Sequence, residues 1–353
     1  AGRRSAHQRS TRSHIAHHTW EMIPLALRLG EEILYLSYTD VAAVGPSMSE
    51  TIALVAEAFH EKGDGLTQLP PKTALHPLDA DAFIHAMPAY VPGHGAAGIK
   101  WVSGYPDNGQ QGLPYIAGLL ILNDPATGLP LAVMDCAWIT AQRTGAVSGL
   151  AAQYLAPPSS QEVALLGAGV QARTQLRALA TVLSGLREVR VYDPKPGAVA
   201  SCTSELGPEL PRVRFAPVDS PEEAVRGADV IVSAGPILHH PRPTIERGWL
   251  KRGCLGLPID FDSMWTGPAL SLDRYLVDDL GQYRFYQEQG FFTAAPEPVG
   301  DLGDLLAGRC PGRQDAAEQI ISMNLGVAIA DVSTAHVVFE RALAAGRGTR
   351  LPL

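Results

Sequence analysis

Residues 163–172 constrain the fold of this chain more than any other stretch, and they read Val-Ala-Leu-Leu-Gly-Ala-Gly-Val-Gln-Ala. The four apolar residues predict a buried strand, and Gly167, Gly169 and Ala172 follow at the spacing of a G-x-G-x-x-A turn. Gly167 permits a tight turn, Gly169 lets a pyrophosphate approach the backbone, and Ala172 lets the next helix pack closely on the strand. The N-terminus of that helix directs free N–H groups at a phosphate. The turn therefore predicts a dinucleotide site.

The residues after the turn favour a nucleotide site over an ordinary strand-to-helix turn. Apolar residues recur at helical spacing over 171–182, and 189–193 read as a second buried strand that ends in an acid. An acid about 20 residues after the glycines lies where the adenosine ribose hydroxyls would be held. Asp193 favours NAD because a carboxylate repels a 2′-phosphate, whereas Lys195 could offset that repulsion. NAD is therefore the predicted cofactor, and NADP stays open.

The composition is that of a soluble α/β enzyme with two domains. A chain of 353 residues, 46% hydrophobic and 18% charged, can bury a sizeable core. Its net charge of −8 argues against nucleic acid as a main partner, and no apolar run is long enough to span a membrane. The four cysteines form no C-x-x-C pair, and no His/Cys/Asp cluster has metal-ligand spacing. We therefore expect reduced thiols, no metal site and a cytoplasmic location.

The remaining chain divides into a tail and two patterns of elements. Residues 1–18 hold four arginines, four histidines and no acid, so we expect a disordered basic tail over 1–30, with a transit peptide as the alternative. From residue 163 onward strands and helices alternate, which predicts a doubly wound parallel sheet. Residues 314–345 read as one long helix. Strands separated by Gly/Pro/Asn turns predict an antiparallel sheet before the glycine turn, at 83–90, 97–102, 115–123 and 131–135.

From about residue 33 to 345 the chain resembles the ornithine cyclodeaminase/mu-crystallin family. The most specific mark is the block 134–148, which runs from Met-Asp through Ile-Thr-Ala to Arg-Thr-Gly-Ala-Val-Ser and is followed closely by the glycine turn. The other segments that carry the resemblance are Met-Pro-Ala-Tyr at 87–90, Gly-Ile-Lys-Trp at 98–101, Asn108, Gly-Leu-Pro at 112–114, Ala-Asp-Val-Ile at 228–231, Leu-Gly at 325–326 and Asp331.

The resemblance implies an α/β fold with a Rossmann domain, a doubly wound parallel sheet, over residues 139–319. A second, α+β domain for substrate binding and dimerisation is implied over 31–138 and 320–353, from both chain ends. The implied partners are a small amino-acid or imine substrate and a second copy of the chain. Three activities stay open: an NAD(P)-dependent imine reductase or amino-acid dehydrogenase, an ornithine cyclodeaminase-like lyase that recycles NAD internally, and a non-enzymatic binder of the mu-crystallin kind.

Oxidation of an amino acid at its α-carbon requires a clamp for the substrate carboxylate. Arg143 is the best candidate because its planar fork matches two carboxylate oxygens, and the resemblance assigns it that role. Lys100 stands in an apolar strand, where a charge is costly unless it is paired or functional, and the resemblance makes it the active-site lysine. Lys72 stands where the family usually has an arginine, so it keeps the charge and loses the fork. Met87 and His85 are candidates for the pocket wall.

The candidate general acid or base lies in a segment that departs from the family. Residues 257–265 read Leu-Pro-Ile-Asp-Phe-Asp-Ser-Met-Trp where cyclodeaminases have Gly-Gly-Asp followed by Pro-Gly-Lys-Thr-Glu-Leu. Alternation along an extended segment would point Asp260 and Asp262 to the same side. Asp260 is the favoured proton shuttle because it comes first after the strand, and Asp262 is second. The alternative is that one of them caps the next helix. The departure disfavours the lyase without excluding it.

The C-terminal segment also departs from the family. The family's Phe-Lys-Ser-Leu-Gly appears as Ser-Met-Asn-Leu-Gly at 322–326, so the lysine near the nicotinamide is missing and Asn324 is the candidate for a nearby hydrogen-bonding role. The full set of candidate cofactor-binding residues is Thr144, Gly167, Ala168, Gly169, Val170, Gln171, Asp193, Lys195, Ser233, Ala234 and Asn324.

Overall fold

Two seven-stranded sheets organise the chain, whose computed structural model describes residues 27–77, 81–238 and 240–353. The predicted basic tail lies almost entirely outside the described residues. In spatial order the first sheet consists of β14 (Thr349–Pro352), β1 (Glu32–Leu36), β6 (Pro130–Asp135), β5 (Ile116–Asn123), β4 (Ala96–Gly104), β3 (Phe83–Val91) and β2 (Thr73–Leu75). The second consists of β12 (Arg274–Val277), β13 (Ile320–Met323), β11 (Leu255–Pro258), β10 (Val230–Ser233), β7 (Glu162–Leu166), β8 (Glu188–Tyr192) and β9 (Arg214–Pro217).

Ten α-helices lie in the described ranges. They are α1 (Tyr38–Val44), α2 (Met48–Gly63), α3 (Ala137–Leu155), α4 (Val170–Val182), α5 (Ala198–Glu209), α6 (Pro221–Val225), α7 (Gly267–Leu270), α8 (Leu280–Glu288), α9 (Leu302–Leu306) and α10 (Ala328–Ala344). Among the residues described, no helix has both the length and the apolarity that a bilayer span requires.

The first sheet joins the two ends of the chain and is covered on one face. Its strand pairs are antiparallel except for β1 and β6, and β14 pairs with β1 at the edge. Alternation sets the two faces: Lys100 lies opposite Leu120 on the face that α10 covers, whereas Trp101 lies opposite Leu119 on a face that is exposed. The covered face thus carries one of the predicted site residues.

The second sheet has the predicted doubly wound form. All of its strand pairs are parallel, and the strand order reverses between β7 and β10. Ligands of such sheets bind outside the carboxyl ends of the strands at this reversal. The glycine turn follows β7 at that point, which confirms the predicted fold class and puts the turn at the expected crevice.

The prediction of one long helix over 314–345 is wrong for its first part. Ile320–Met323 form β13, a buried central strand of the second sheet, and α10 begins only at Ala328. Periodicity alone cannot separate a short apolar strand buried on both faces from a buried helix. Gly326, with φ +87°, lies in the turn that separates the two elements. The domain limits stay a prediction, although β13 pairs within the second sheet.

Candidate functional site

The glycine turn has the shape that a bound pyrophosphate requires. Gly167 has φ +98°, and a Cβ there would lie 2.7 Å from the carbonyl oxygen of Ala234, so only glycine fits. A Cβ on Gly169 would meet nothing within 4 Å, so its backbone faces open space. Gly169 also caps α4 without a side-chain hydrogen bond, which leaves the first N–H groups of the helix free for an anion. The turn therefore fits a dinucleotide phosphate group.

Asp193 fixes the glycine turn to the end of β8. Its Oδ2 accepts a hydrogen bond of 2.8 Å from the N–H of Ala168, and its Oδ1 accepts one of 2.7 Å from the N–H of Lys195. The carboxylate is therefore held at the edge of the crevice, where the sequence predicts the ribose hydroxyls. Lys195 is exposed, so its side chain does not shield this carboxylate from solvent.

The other candidate cofactor residues gather at the carboxyl edge of the second sheet. Ser233 ends β10, Ala234 follows it beside Gly167, and Val170 and Gln171 open α4. The Oε1 atom of Gln171 is buried and accepts no hydrogen bond within the described part of the chain. Thr144 and Asn324 lie on the substrate side: the Thr144 carbonyl accepts a hydrogen bond from Gln175 of α4, and Asn324 donates one to Ser148 of α3.

Two of the three cations that were predicted to bind a carboxylate share one counter-ion. Lys100 Nζ donates to Oδ1 of Asp331 at 2.8 Å, and Arg143 Nε donates to the same oxygen at 2.9 Å. Strand β4 carries Lys100, helix α3 carries Arg143 and helix α10 carries Asp331. Met87 lies directly opposite Lys100 in the register of β3 and β4. The apolar strand tolerates its lysine because the buried charge is paired.

The guanidinium of Arg143 has one nitrogen without a hydrogen-bond partner among the described residues. Its Nη1 atom is buried and makes no hydrogen bond to any described residue, and the same holds for Oδ2 of Asp331. A Cβ on Gly326 would lie 3.0 Å from Nη1 and 3.2 Å from Nη2, so the missing side chain is what lets the guanidinium lie against this backbone. Buried donors without partners are unfavourable, and a substrate carboxylate would satisfy this one.

Lys72 completes the cationic cluster from a different direction. Its Nζ donates to the carbonyl of Leu325 at 2.6 Å and lies 5.3 Å from the ring centroid of Phe261 and 5.1 Å from that of Tyr286. Burial lowers the pKa of Lys72, while the carboxylate of Asp278 opposes that effect. Burial also raises the pKa of Asp278, whose Oδ2 accepts the N–H of Gly326 at 2.7 Å. The charges of these two buried groups therefore stabilise each other.

Burial also shifts the titration of the neighbouring groups. It lowers the pKa of Lys100 to about 8; the charge of Arg143 adds to this, and Asp331 works against it. Burial, with the charges of Lys72 and Lys100, lowers the pKa of His85 to about 2, so this ring is neutral. The site thus combines cations with an uncharged imidazole.

Asp260 and Asp262 do not share one side, so that part of the sequence prediction is wrong. Phe261 between them has φ +59°, a left-handed conformation that breaks the alternation of an extended segment. Asp260 is fully buried and accepts hydrogen bonds from the Ser233 hydroxyl and from the Gly235 N–H at 3.1 Å, whereas Asp262 is half-buried. Neither residue caps the next helix, because Thr266 occupies that position.

Both acids titrate above the ordinary range. Burial raises the pKa of Asp260 to about 6, and the hydrogen bonds from Ser233 and Gly235 limit the rise. Burial raises the pKa of Asp262 as well. Asp260 can therefore hold or release a proton near neutral pH.

Sequence reasoning missed three residues of the site. Asp331 was noted only as a mark of the family, yet an acid inside the apolar run Ala-Ile-Ala-Asp-Val is itself a signal of a paired buried charge. Asp278 directly follows β12 at the carboxyl edge of the sheet, where functional groups of this fold gather. Tyr286 carries no comparable sequence signal.

Comparisons with known proteins cover nearly the whole chain. The model of the ornithine cyclodeaminase/mu-crystallin family matches residues 36–346. Alanine dehydrogenase of Archaeoglobus fulgidus is 35% identical over 91% of this chain and 98% of its own length. Delta(1)-pyrroline-2-carboxylate reductase of Thermococcus litoralis, solved with NADH and L-proline, is 32% identical with a TM-score of 0.82, covering 90% of this chain and 99% of that one. An archaeal alanine dehydrogenase dimer with bound NAD is 33% identical with a TM-score of 0.80, covering 91% and 99%.

Proposed function

Because this chain belongs to the ornithine cyclodeaminase/mu-crystallin family, we propose that it is an NAD-dependent oxidoreductase acting on the α-carbon of an amino acid or its imine. The observation that carries the proposal is the unpartnered edge of Arg143 in a buried cluster with Lys100 and Asp331. The helix of this arginine packs against the helix of the glycine turn, since a Cβ on Gly145 would lie 2.5 Å from the carbonyl oxygen of Thr174. The carboxylate clamp and the dinucleotide crevice are therefore held together by one rigid contact.

Each part of the reaction has a group in this chain. NAD, when bound, supplies the acceptor or donor of a hydride at the substrate α-carbon. The glycine turn would hold its pyrophosphate and Asp193 its adenosine ribose. Arg143 binds the substrate carboxylate through its free edge, and Lys100 adds a second positive charge beside it. Imine reduction adds one hydride to carbon and one proton to nitrogen, and Asp260 is the group we assign to hold that proton.

The proposal includes a homodimer in a reducing compartment, the cytoplasm. The related alanine dehydrogenase is a dimer. The exposed face of the first sheet carries large apolar side chains, including Trp101, Leu119 and Ile121, as a subunit interface does. All four cysteines are buried and unpaired, which is the usual state of cysteines in a reducing compartment.

One assay separates the activities of this family. The protein is incubated with alanine, proline, ornithine, lysine or small cyclic imines and with NAD(H) or NADP(H), while nicotinamide absorbance and ammonia are followed. A net change of absorbance with substrate supports the dehydrogenase or reductase. Ammonia release from a diamino acid without net change indicates the lyase instead. Tight NAD binding without turnover of any substrate indicates a binder and contradicts the proposal.

The role of Arg143 can be tested by its removal. We expect Arg143→Ala to lower kcat/KM by roughly 100-fold to 1,000-fold, because two charge-assisted hydrogen bonds to the substrate carboxylate are lost. The dissociation constant for NAD, measured by fluorescence titration, stays unchanged. Arg177→Ala is the matched control, because Arg177 lies on the outer surface of α4 and pairs with Glu205 and Glu209. A loss of NAD affinity in Arg143→Ala that is as large as the loss of kcat/KM would contradict the assignment of Arg143 as the carboxylate clamp.

A further inference from the structure

Arg173 holds two carbonyl groups of the glycine turn with a single nitrogen atom. Its Nη1 donates to the carbonyl oxygen of Ala168 and, at 3.0 Å, to that of Gly169. The residue lies one helical turn into α4, and only 14% of its side chain is exposed. A cation this close to the N-terminus of a helix opposes the helix dipole, so the fold must compensate its charge.

Helix α5 supplies the compensating charge and fixes the guanidinium. Glu205 Oε2 accepts from Nε of Arg173 at 2.7 Å, and the Ser201 hydroxyl accepts from its Nη2 at 3.0 Å. Hydrogen bonds from Arg177 and Arg173 lower the pKa of Glu205, so its carboxylate is ionised at neutral pH. With Glu209, the other partner of Arg177, the four charges sum to zero. What Arg173 contributes at the turn is therefore mainly the direction of its hydrogen bonds.

The geometry of the trans peptide relates these two carbonyl groups to two N–H donors. The carbonyl of Ala168 shares its peptide unit with the N–H of Gly169, and the carbonyl of Gly169 shares the next unit with the N–H of Val170. Within a trans unit the C=O and the N–H point in opposite directions. Because one nitrogen of Arg173 binds both carbonyls, both N–H groups face the other side of the turn.

These two N–H groups are available to a ligand. Neither of them donates to a residue in the described part of the chain. Gly169 and Val170 are exposed, and a Cβ on Gly169 would meet nothing within 4 Å. Successive backbone N–H groups at the N-terminus of a helix are the donors that phosphate groups bind.

Asp193 fixes a different peptide unit of the same turn. Its Oδ2 accepts the N–H of Ala168, which belongs to the unit before this residue. That hydrogen bond leaves the next two units free to rotate, and those are the units whose carbonyls Arg173 binds. The end of β8 and helix α5 therefore hold successive parts of the turn, and the second hold depends on this one arginine.

We propose that Arg173 is a positioning residue for the pyrophosphate of the cofactor. It holds the carbonyl groups of Ala168 and Gly169 on one side of the turn, so that the N–H groups of Gly169 and Val170 face the phosphates on the other. A contact between α4 and α5 alone would not require this arrangement, because Arg177 already binds Glu205 one helical turn later. The inference concerns the cofactor, so it goes beyond the proposed function and holds whichever reaction the chain catalyses.

Calorimetric binding of ADP and adenosine tests this inference, because only ADP carries a pyrophosphate group. We expect Arg173→Ala to raise the dissociation constant of ADP by roughly tenfold and to change that of adenosine by less than about twofold. Arg177→Ala is the matched control, since it removes a neighbouring arginine from Glu205 and leaves both carbonyl contacts in place. Equal losses for ADP and adenosine, no loss for either, or the same loss of ADP affinity in Arg177→Ala would overturn the proposal.

A conservative variant distinguishes the hydrogen bonds of Arg173 from its bulk. A lysine at this position offers one ammonium nitrogen in place of Nη1, and that nitrogen can donate to both carbonyls. We expect Arg173→Lys to bind ADP more tightly than Arg173→Ala by roughly threefold or more. A lysine variant that binds ADP as weakly as the alanine variant would overturn the proposal.

Removal of the counter-charge distinguishes positioning from a direct effect of the arginine charge on the phosphates. Glu205→Gln keeps Arg173 and an oxygen that can accept its Nε hydrogen bond, so it remains informative even where Arg173→Ala does not fold. If Arg173 acts by positioning, ADP affinity in Glu205→Gln equals or falls below that of the wild type. Binding of ADP that is roughly threefold or more tighter in Glu205→Gln would show that the charge itself attracts the phosphates, and would overturn the proposal.

Discussion

Asp331 determines how Lys100 and Arg143 meet. One of its oxygens accepts from both cations, so the strand that carries the lysine and the helix that carries the arginine are tied to α10 through a single buried atom. Such a triad is unfavourable to desolvate and depends on complete pairing. Here the pairing is incomplete, because Nη1 of Arg143 finds no partner among the residues described. The excess positive charge is consistent with our proposal that the cluster binds the substrate carboxylate.

The lowered pKa of Lys100 makes carboxylate binding pH-dependent. A lysine whose pKa is about 8 is charged below that pH and loses its proton above it, so affinity for a carboxylate must fall as the pH rises through 8. We expect the dissociation constant of 2-oxobutanoate, which does not titrate in this range, to increase between pH 8 and 10 as the charge of Lys100 is lost. Calorimetric titration measures it. Lys100→Arg is the control, because a guanidinium stays charged throughout this range. If the dissociation constant of this variant rises with pH as it does in the wild type, the assignment is contradicted.

The carboxylate of Asp193 is expected to set the preference for NAD. Asp193→Asn removes the charge and keeps one amide oxygen for the Ala168 N–H. The ratio of kcat/KM for NADP to that for NAD should then rise by roughly tenfold, since a repulsion of that order is lost. Steady-state kinetics with both cofactors measure the ratio. Asp219→Asn, an exposed acid after the neighbouring strand β9, serves as control, and an equal rise there would rule out a local effect of Asp193.

At the scale of elements, the contact between α3 and α4 joins the substrate side to the cofactor side. A Cβ on Gly145 of α3 would lie 2.5 Å from the carbonyl oxygen of Thr174 in α4, and one on Gly149 would lie 2.9 Å from Ile52. Helices approach this closely only where side chains are absent. The register of Arg143 relative to the glycine turn therefore depends on small residues in α3, and any side chain added there must displace α4.

Gly145→Ala tests this dependence. We expect a loss of about 1–3 kcal/mol in the free energy of unfolding and weaker NAD binding, because the start of α4 is displaced. Gly207→Ala in α5 is the matched control: a Cβ there meets nothing within 4 Å, so the substitution should stabilise the protein by up to about 1 kcal/mol. Urea unfolding and NAD titration give both quantities. If NAD affinity in Gly145→Ala matches the wild type, the contact does not position the cofactor site.

Local sequence signals predicted the elements whose conformation depends on residues that are close together along the chain. The G-x-G-x-x-A spacing placed Gly167 and Gly169, and the turns on either side of residues 97–102 placed the strand of Lys100. The ion triad could not be found in this way, because Lys100 and Asp331 are separated by 231 residues and meet only when α10 packs on β4. The left-handed Phe261 was likewise missed, since the sequence offers no glycine there. Sequence propensity reports on residues that are close along the chain, whereas tertiary packing brings the residues of the site together.

At the scale of the whole molecule, the first sheet divides the chain into a covered and an open side. The covered side carries the cationic cluster, whereas Tyr35, Trp101, Leu119 and Ile121 are all large apolar residues on the open side. Tyr35 and Ile121 both lie opposite Val133, so they share a row across β1, β6 and β5. A continuous exposed apolar area of this kind indicates an interface.

A dimer formed through this open face gives the last test. In a two-fold symmetric interface each residue meets the partner's copy of the same surface, so Ile121→Glu would bury two carboxylates without counter-ions. We expect the wild-type protein to sediment as a dimer at micromolar concentration and Ile121→Glu to sediment as a monomer. Val299→Glu, a substitution of an exposed residue in the loop before α9, should leave the dimer intact. Lys100 lies on the same strand as Trp101 but faces the other side of the sheet. Loss of the dimer should therefore lower the thermal stability of the protein and have only a small effect on its affinity for a carboxylate. A wild-type monomer, or a dimer that survives Ile121→Glu, would exclude the open face as the interface.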